Sequence, residues 1–146
     1  MIALALLLAA TPQVKFELAS PEAPLIIVPV KVNGKGPFRF ILDTGASGSE
    51  LTPAAAKKIG LKLNESAKAK AVGAGGSIEM DLGTVDSLEI GGAVVKDMTF
   101  AVGEMKDVAE YAPNVDGLVG YDFLKNFVVT IDYPQLVVRF AAPPKR

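Results

Sequence analysis

From Leu25 onward the chain is a succession of short apolar runs, each cut off by glycine, proline or a small polar turn, and that punctuation leaves no room for a long helix. Leu25 to Val32 and Pro37 to Leu42 flank Asn33-Gly34, a hairpin signal. Further strands are expected over Ala67 to Val72, Ser77 to Leu82, Val85 to Ile90 and Val94 to Val102, and a closing hairpin over Phe127 to Asp132 and Leu136 to Phe140. One helix has clear end signals in Thr52-Pro53-Ala-Ala-Ala-Lys-Lys-Ile-Gly60, with a capping hydroxyl, proline at the first position, late lysines and a terminal glycine. The expected fold is therefore mostly β with one or two short helices, without βαβ alternation, internal repeat or dividing linker.

Composition narrows the chemistry. In 146 residues, 15 Lys+Arg nearly balance 16 Asp+Glu, so nothing marks a nucleic-acid or other polyanion partner, and a single domain of this size can bury its own core. Cysteine and histidine are both absent, which excludes thiolate chemistry, Ser-His and Cys-His nucleophile pairs, and His-ligated metals. No cofactor or metal is expected. Carboxylates, Lys, Tyr and hydroxyls are what remain.

The apolar opening, Met1 to Ala10, is too short to span a bilayer and ends in small residues, as the apolar core of a secretory signal does. No Lys or Arg precedes it, so a truncated signal and a first strand both fit. On the first reading the protein is exported, periplasmic or secreted, and maturation falls near Thr11. On the second it stays in the cytoplasm.

The most informative stretch is Phe38-Arg-Phe-Ile-Leu42 running into Asp43-Thr44-Gly45-Ala46-Ser47. An Asp at the end of a strand is held by rigid backbone yet open to a cleft, Gly45 lets backbone approach its carboxylate, and Thr44 offers a hydroxyl across the turn. These residues also suit an ordinary turn. Two later segments stand in a telling order. Gly73-Ala74-Gly75-Gly76 lies between strand-like runs, without the strand-to-helix passage of a phosphate cradle, and Leu118-Val119-Gly120 precedes a short helical segment. The set resembles the retropepsins, the retroviral-type aspartic proteases, over residues 25–140.

That resemblance implies a retropepsin-like closed β-barrel, or acid-protease half-lobe. Residues 11–24 would be an N-terminal extension and 141–146 a tail. It implies Asp43 as the catalytic residue, Thr44, Gly45, Ala46 and Ser47 as its supporting loop, residues 73–76 as the flap tip that covers substrate, and Leu118, Val119 and Gly120 as structural support. Viral members often carry Asp and Arg where this chain has Ser47 and Tyr121, and loss of both charges together leaves no orphan. It better fits cellular or bacterial members.

Acid proteolysis needs two carboxylates that share a proton, and the chain has one Asp-Thr-Gly loop. Asp116 opens no such loop and is assigned to a turn. Asp81, Asp86, Asp97, Asp107, Asp122 and Asp132 are assigned to surface, turn or capping roles. A homodimer would supply the second Asp43 by two-fold symmetry, and the partner implied is an extended peptide or protein substrate. A non-catalytic peptide-binding module on the same fold, and one lobe of a heteromeric protease, remain open on these residues.

Overall fold

A computed structural model describes residues 10–73 and 76–146. In chain order the elements are β1 (Gln13–Lys15), β2 (Glu17–Leu18), β3 (Ile26–Val32), β4 (Lys35–Leu42), β5 (Ser49–Leu51), α1 (Pro53–Ile59), β6 (Leu63–Gly73), β7 (Gly76–Ile90), β8 (Ala93–Val102), α2 (Lys106–Ala109), β9 (Gly117–Val119), α3 (Tyr121–Leu124), β10 (Val128–Asp132) and β11 (Val137–Ala141). The expectation of a mostly β chain holds. The helix with clear end signals is α1, where the Thr52 hydroxyl accepts from the Ala55 N–H. Of the other two, each a single turn, α3 follows Gly120 as expected and α2 has no capping side chain to announce it.

The larger sheet runs β2-β3-β4-β9-β5-β8-β7-β6, and a second contact between β3 and β7 brings it back on itself. That seam is short, Lys31 opposite Glu89 and Val32 opposite Leu88. Asn33 extends it: its side-chain oxygen accepts from the backbone N–H groups of Asp86 and Ser87. Because β2 takes the other end of the β3 edge that faces β7, at Ile26 and Ile27, the result is a ring of strands with a narrow seam. The ring encloses the main core, in which Val28, Val30, Phe40, Leu51, Val85, Leu88 and Phe100 are fully buried. Phe40 and Phe100 meet edge to face across it.

Two boundaries differ from the sequence reading. The expected strands over Ser77 to Leu82 and Val85 to Ile90 are one continuous strand, β7, in which Gly83 pairs with both Leu63 and Phe100. A β-carbon at Gly83 would stand 2.7 Å from the Leu61 side chain, so this glycine admits a neighbour instead of turning the chain. The N-terminal extension, in turn, enters both sheets. β1 pairs with β11 in the three-stranded sheet β1-β11-β10, β2 pairs with β3, and Phe16 between them is buried against Tyr133. The segment over residues 1–9 lies outside the described residues, and no described helix is long and apolar enough to cross a membrane.

The topology matters most at the centre of the larger sheet. There β9 lies between β4, to which it is parallel, and β5, to which it is antiparallel. The chain leaves β4 at Asp43, loops, and returns as β5 on the other side of β9. The loop that carries the Asp-Thr-Gly sequence is thereby threaded around the end of β9.

Candidate active site

Asp43 is the first residue past β4. Its N–H donates to the Val119 carbonyl at 3.0 Å, which continues the β4–β9 ladder to the carboxylate's own residue. The Gly45 N–H donates to Asp43 Oδ1 at 2.8 Å, and among the described residues no other hydrogen bond reaches that carboxylate. One oxygen is thus fixed by backbone, and the other has no hydrogen bond among the described residues. Asp43 is half-buried, whereas Thr44, Gly45 and Ser47 are exposed and Ala46 is half-buried. The loop presents a positioned carboxylate on a rim open to solvent.

What holds the loop is a network that starts on the far side of β9. Ser49 is the only buried polar residue among those described. Its N–H and its hydroxyl both donate to the Asp122 carboxylate, at 3.0 and 2.7 Å, and its hydroxyl oxygen accepts from the Gly120 N–H at 3.2 Å. Asp122 Oδ1 also accepts from the Phe123 N–H at 2.9 Å, within the first turn of α3. The Tyr121 N–H donates to the Ala46 carbonyl at 2.8 Å. Phe123 anchors the assembly from below, edge to face against Phe140 and beside Phe127. Gly120 is the close contact: a β-carbon there would fall 2.6 Å from the Gly48 carbonyl oxygen and 2.8 Å from that of Ala46. Any side chain would push the loop off β9.

The residues singled out in the sequence therefore come together in part. Asp43, Thr44, Gly45, Ala46 and Ser47 form one loop seated on Leu118, Val119 and Gly120. The Gly73 to Gly76 segment joins β6 and β7, which pair antiparallel up to Gly73 opposite Gly76. The expected flap residues Ala74 and Gly75 lie outside the described residues. Ser47 and Tyr121 are exposed and make no ion pair; the Lys125 ammonium lies 5.9 Å from the Tyr121 ring centre.

Asp116 sits elsewhere. Its Oδ2 accepts from the Arg39 N–H and its own N–H donates to the Arg39 carbonyl, which fastens the start of β9 to β4. The strand from Arg39 to Asp43 spans roughly 13 Å, at about 3.3 Å per residue, so Asp116 cannot share a proton with Asp43.

Sequence reasoning missed two residues here. Asp122 lies within the first turn of α3 and does not cap it; its carboxylate instead fastens Ser49 and so the whole loop. The available signal was a serine, Ser49, at a position whose alternation with Leu51 puts it inside. The second is Glu50, between them. It is half-buried, and that burial raises its pKa, with the negative charge of Asp43 acting in the same direction. It lines a cleft of about 310 Å³ formed by the facing side of the sheet, the β6–β7 hairpin and the α2 segment. Among the described residues no cluster of acidic side chains is arranged to hold a metal ion.

Comparison with protein families matches residues 28–123 to the family described as aspartyl protease. The crystal structure of a retropepsin-like aspartic protease from Rickettsia conorii is similar, with a TM-score of 0.62 and 22% identity over 92% of this chain and 95% of that one. That likeness is one of fold, and it agrees with the expected retropepsin-like architecture. Comparison with curated protein sequences gives no match.

Two predictions follow from this geometry. Asp122→Ala removes the acceptor of three donors and strands the buried Ser49 hydroxyl, so it should cost about 2–4 kcal/mol in chemical denaturation and speed hydrogen exchange at the Ser49 amide. A loss under about 0.5 kcal/mol, typical of a surface substitution, would show that the network does not hold the loop. Glu50 has a folded-state pKa above its unfolded one, so its contribution to stability is complete below the ordinary Glu range and is lost as pH rises through the raised value. Glu50→Gln should therefore melt higher than the parent protein at neutral pH, and the gap should close as pH falls into the ordinary Glu range. A gap that widens on acidification contradicts this.

Proposed function

The chain belongs to the aspartyl protease family, and from that premise we propose that it is an endopeptidase whose active site is assembled from the Asp43 carboxylates of two identical chains. The observation that carries this reading is the state of Asp43: one oxygen bonded to the Gly45 N–H, the other without a hydrogen bond among the described residues, on a loop whose Thr44 and Gly45 are exposed. A single chain places no second Asp-Thr-Gly loop beside it. Two copies related by a two-fold axis through this rim would bring the carboxylates together.

In that arrangement like charges a few ångströms apart do not both ionise, so the pair holds one proton between them. A water on the axis gives a proton to the ionised Asp43 as its oxygen attacks the scissile carbonyl carbon. The protonated Asp43 donates to the carbonyl oxygen. By symmetry either chain takes either role. An extended peptide would lie between the sheet and the β6–β7 hairpin, bonded along its backbone as an added strand. Residues 73–76 are the flap tip in this reading.

Export belongs to the same proposal, on the support of the apolar run that ends at Ala9 and Ala10. Cleavage near Thr11 would leave β1 whole, since that strand begins at Gln13 and the Pro12 carbonyl is engaged by the Phe140 N–H.

Asp43→Asn tests the chemistry. The amide is nearly isosteric and keeps an acceptor for the Gly45 N–H, so the fold should survive while peptide cleavage falls by at least about a thousandfold, as expected when a member of a catalytic unit is removed. Cleavage by Asp43→Asn at a rate close to that of the parent protein would refute the mechanism. Peptide binding by the parent protein without any cleavage would favour a binding module on this fold.

A further inference from the structure

One row of residues crosses the sheet on the side away from the main core. Ile27 on β3 stands opposite Ile41 on β4, Ile41 opposite Leu118 on β9, and Leu118 opposite Glu50 on β5. Ile27, Ile41 and Leu118 are buried together in a small apolar cluster of their own. Glu50 occupies the next place in that row, where a further apolar side chain would extend the cluster. Within β5 the flanking Ser49 and Leu51 are buried toward the core, so Glu50 projects to the other side, into the cleft.

Nothing in the fold accounts for a carboxylate at this point. Among the described residues Glu50 has no side-chain hydrogen bond and no ion pair, although burial and Asp43 both work against its charge. A half-buried acid that stabilises nothing in its own chain is a candidate for recognition. The walls suggest by what. Val72 and Ile78 of the hairpin, Met105 and Val108 at the start of and within α2, and Leu118 of β9 make them largely apolar. The charged residues at the cleft are Glu50, Glu104 and Asp107 against Lys106, a net negative lining. Its volume of about 310 Å³ suits a long side chain or two rather than a large ligand.

A largely apolar channel that holds the unpaired carboxylate of Glu50, in a lining of net negative charge, is complementary to a side chain with an aliphatic stem and a cationic head. We propose that Glu50 is a specificity-determining residue that selects Lys or Arg at one position of the peptide substrate, beside the scissile bond held at Asp43. The selection rests on the proteolytic reading above for its substrate, but not for the pairing itself. A substrate carboxylate would be repelled by Glu50, and an uncharged apolar side chain would leave the acid desolvated and alone.

The test is a randomised short-peptide library presented to the intact protein at near-neutral pH in two ways. It is cleaved by the parent protein and by Glu50→Gln, with products sequenced by mass spectrometry. It is also captured on immobilised Asp43→Asn protein, with and without the added Glu50→Gln substitution. Lys and Arg should be enriched about tenfold at one fixed position over apolar residues of similar length, the scale of one charge-assisted hydrogen bond. Glu50→Gln should remove that enrichment in both formats. Cleavage with no basic preference, or with the same preference in Glu50→Gln, overturns the role of Glu50 and leaves proteolysis standing. Capture with a Glu50-dependent basic preference but no cleavage does the reverse. Neither capture nor cleavage overturns both.

Discussion

The position of the Asp43 carboxylate depends on how closely the chain packs around the end of β9. Gly120 has no side chain, and the carbonyls of Ala46 and Gly48 lie where its β-carbon would be. That proximity lets the Tyr121 N–H reach the Ala46 carbonyl and the Gly120 N–H reach the Ser49 hydroxyl. Asp122 then closes the network by accepting both donors of Ser49. The loop is clamped at Ala46 by backbone and at Ser49 by a carboxylate, so only Thr44, Gly45 and their neighbours project. A short, exposed, glycine-containing loop would ordinarily be among the least ordered parts of a protein. Here it is fixed from below by an apolar strand and an aromatic cluster.

The same threading brings Glu50 close enough to Asp43 for the one charge to act on the other. β4 and β5 enter and leave the loop on opposite sides of β9, so Asp43 lies at the end of one strand and Glu50 in the middle of the other. The alternation of β5 places Ser49 and Leu51 inward and Glu50 outward. Inward, Ser49 is fully used in holding the loop. Outward, Glu50 is unused by the fold and felt by Asp43 as a like charge. Consecutive residues thus divide between the core and the cleft, and β-strand geometry alone decides which goes where.

Much of this was legible before any coordinates. The apolar run into Asp43-Thr44-Gly45, the caps of α1 and the order of the later segments depend on local signals that tertiary contacts did not override. Gly83 misled because the same residue type serves a turn and a close approach, and only the Leu61 side chain packed against it decides which. Residues 11–24 have little apolar periodicity of their own; β1 and β2 exist because β11 and β3 offer edges to pair with, a non-local event that no window of sequence contains. Asp122 and Glu50 were hidden for a related reason. A carboxylate's partner, or its lack of one, is set by residues far away in the chain, and Ser49 lies 73 positions from Asp122.

The central claim is that one chain carries half of an active site. Specific activity of the protein, measured over a dilution series with sedimentation run at the same concentrations, tests it most directly. Activity per chain should fall in parallel with the fraction of dimer, and two chains joined by a flexible linker should keep full activity on dilution through their raised effective concentration. Constant specific activity where sedimentation finds only monomer would contradict the shared pair of Asp43 carboxylates.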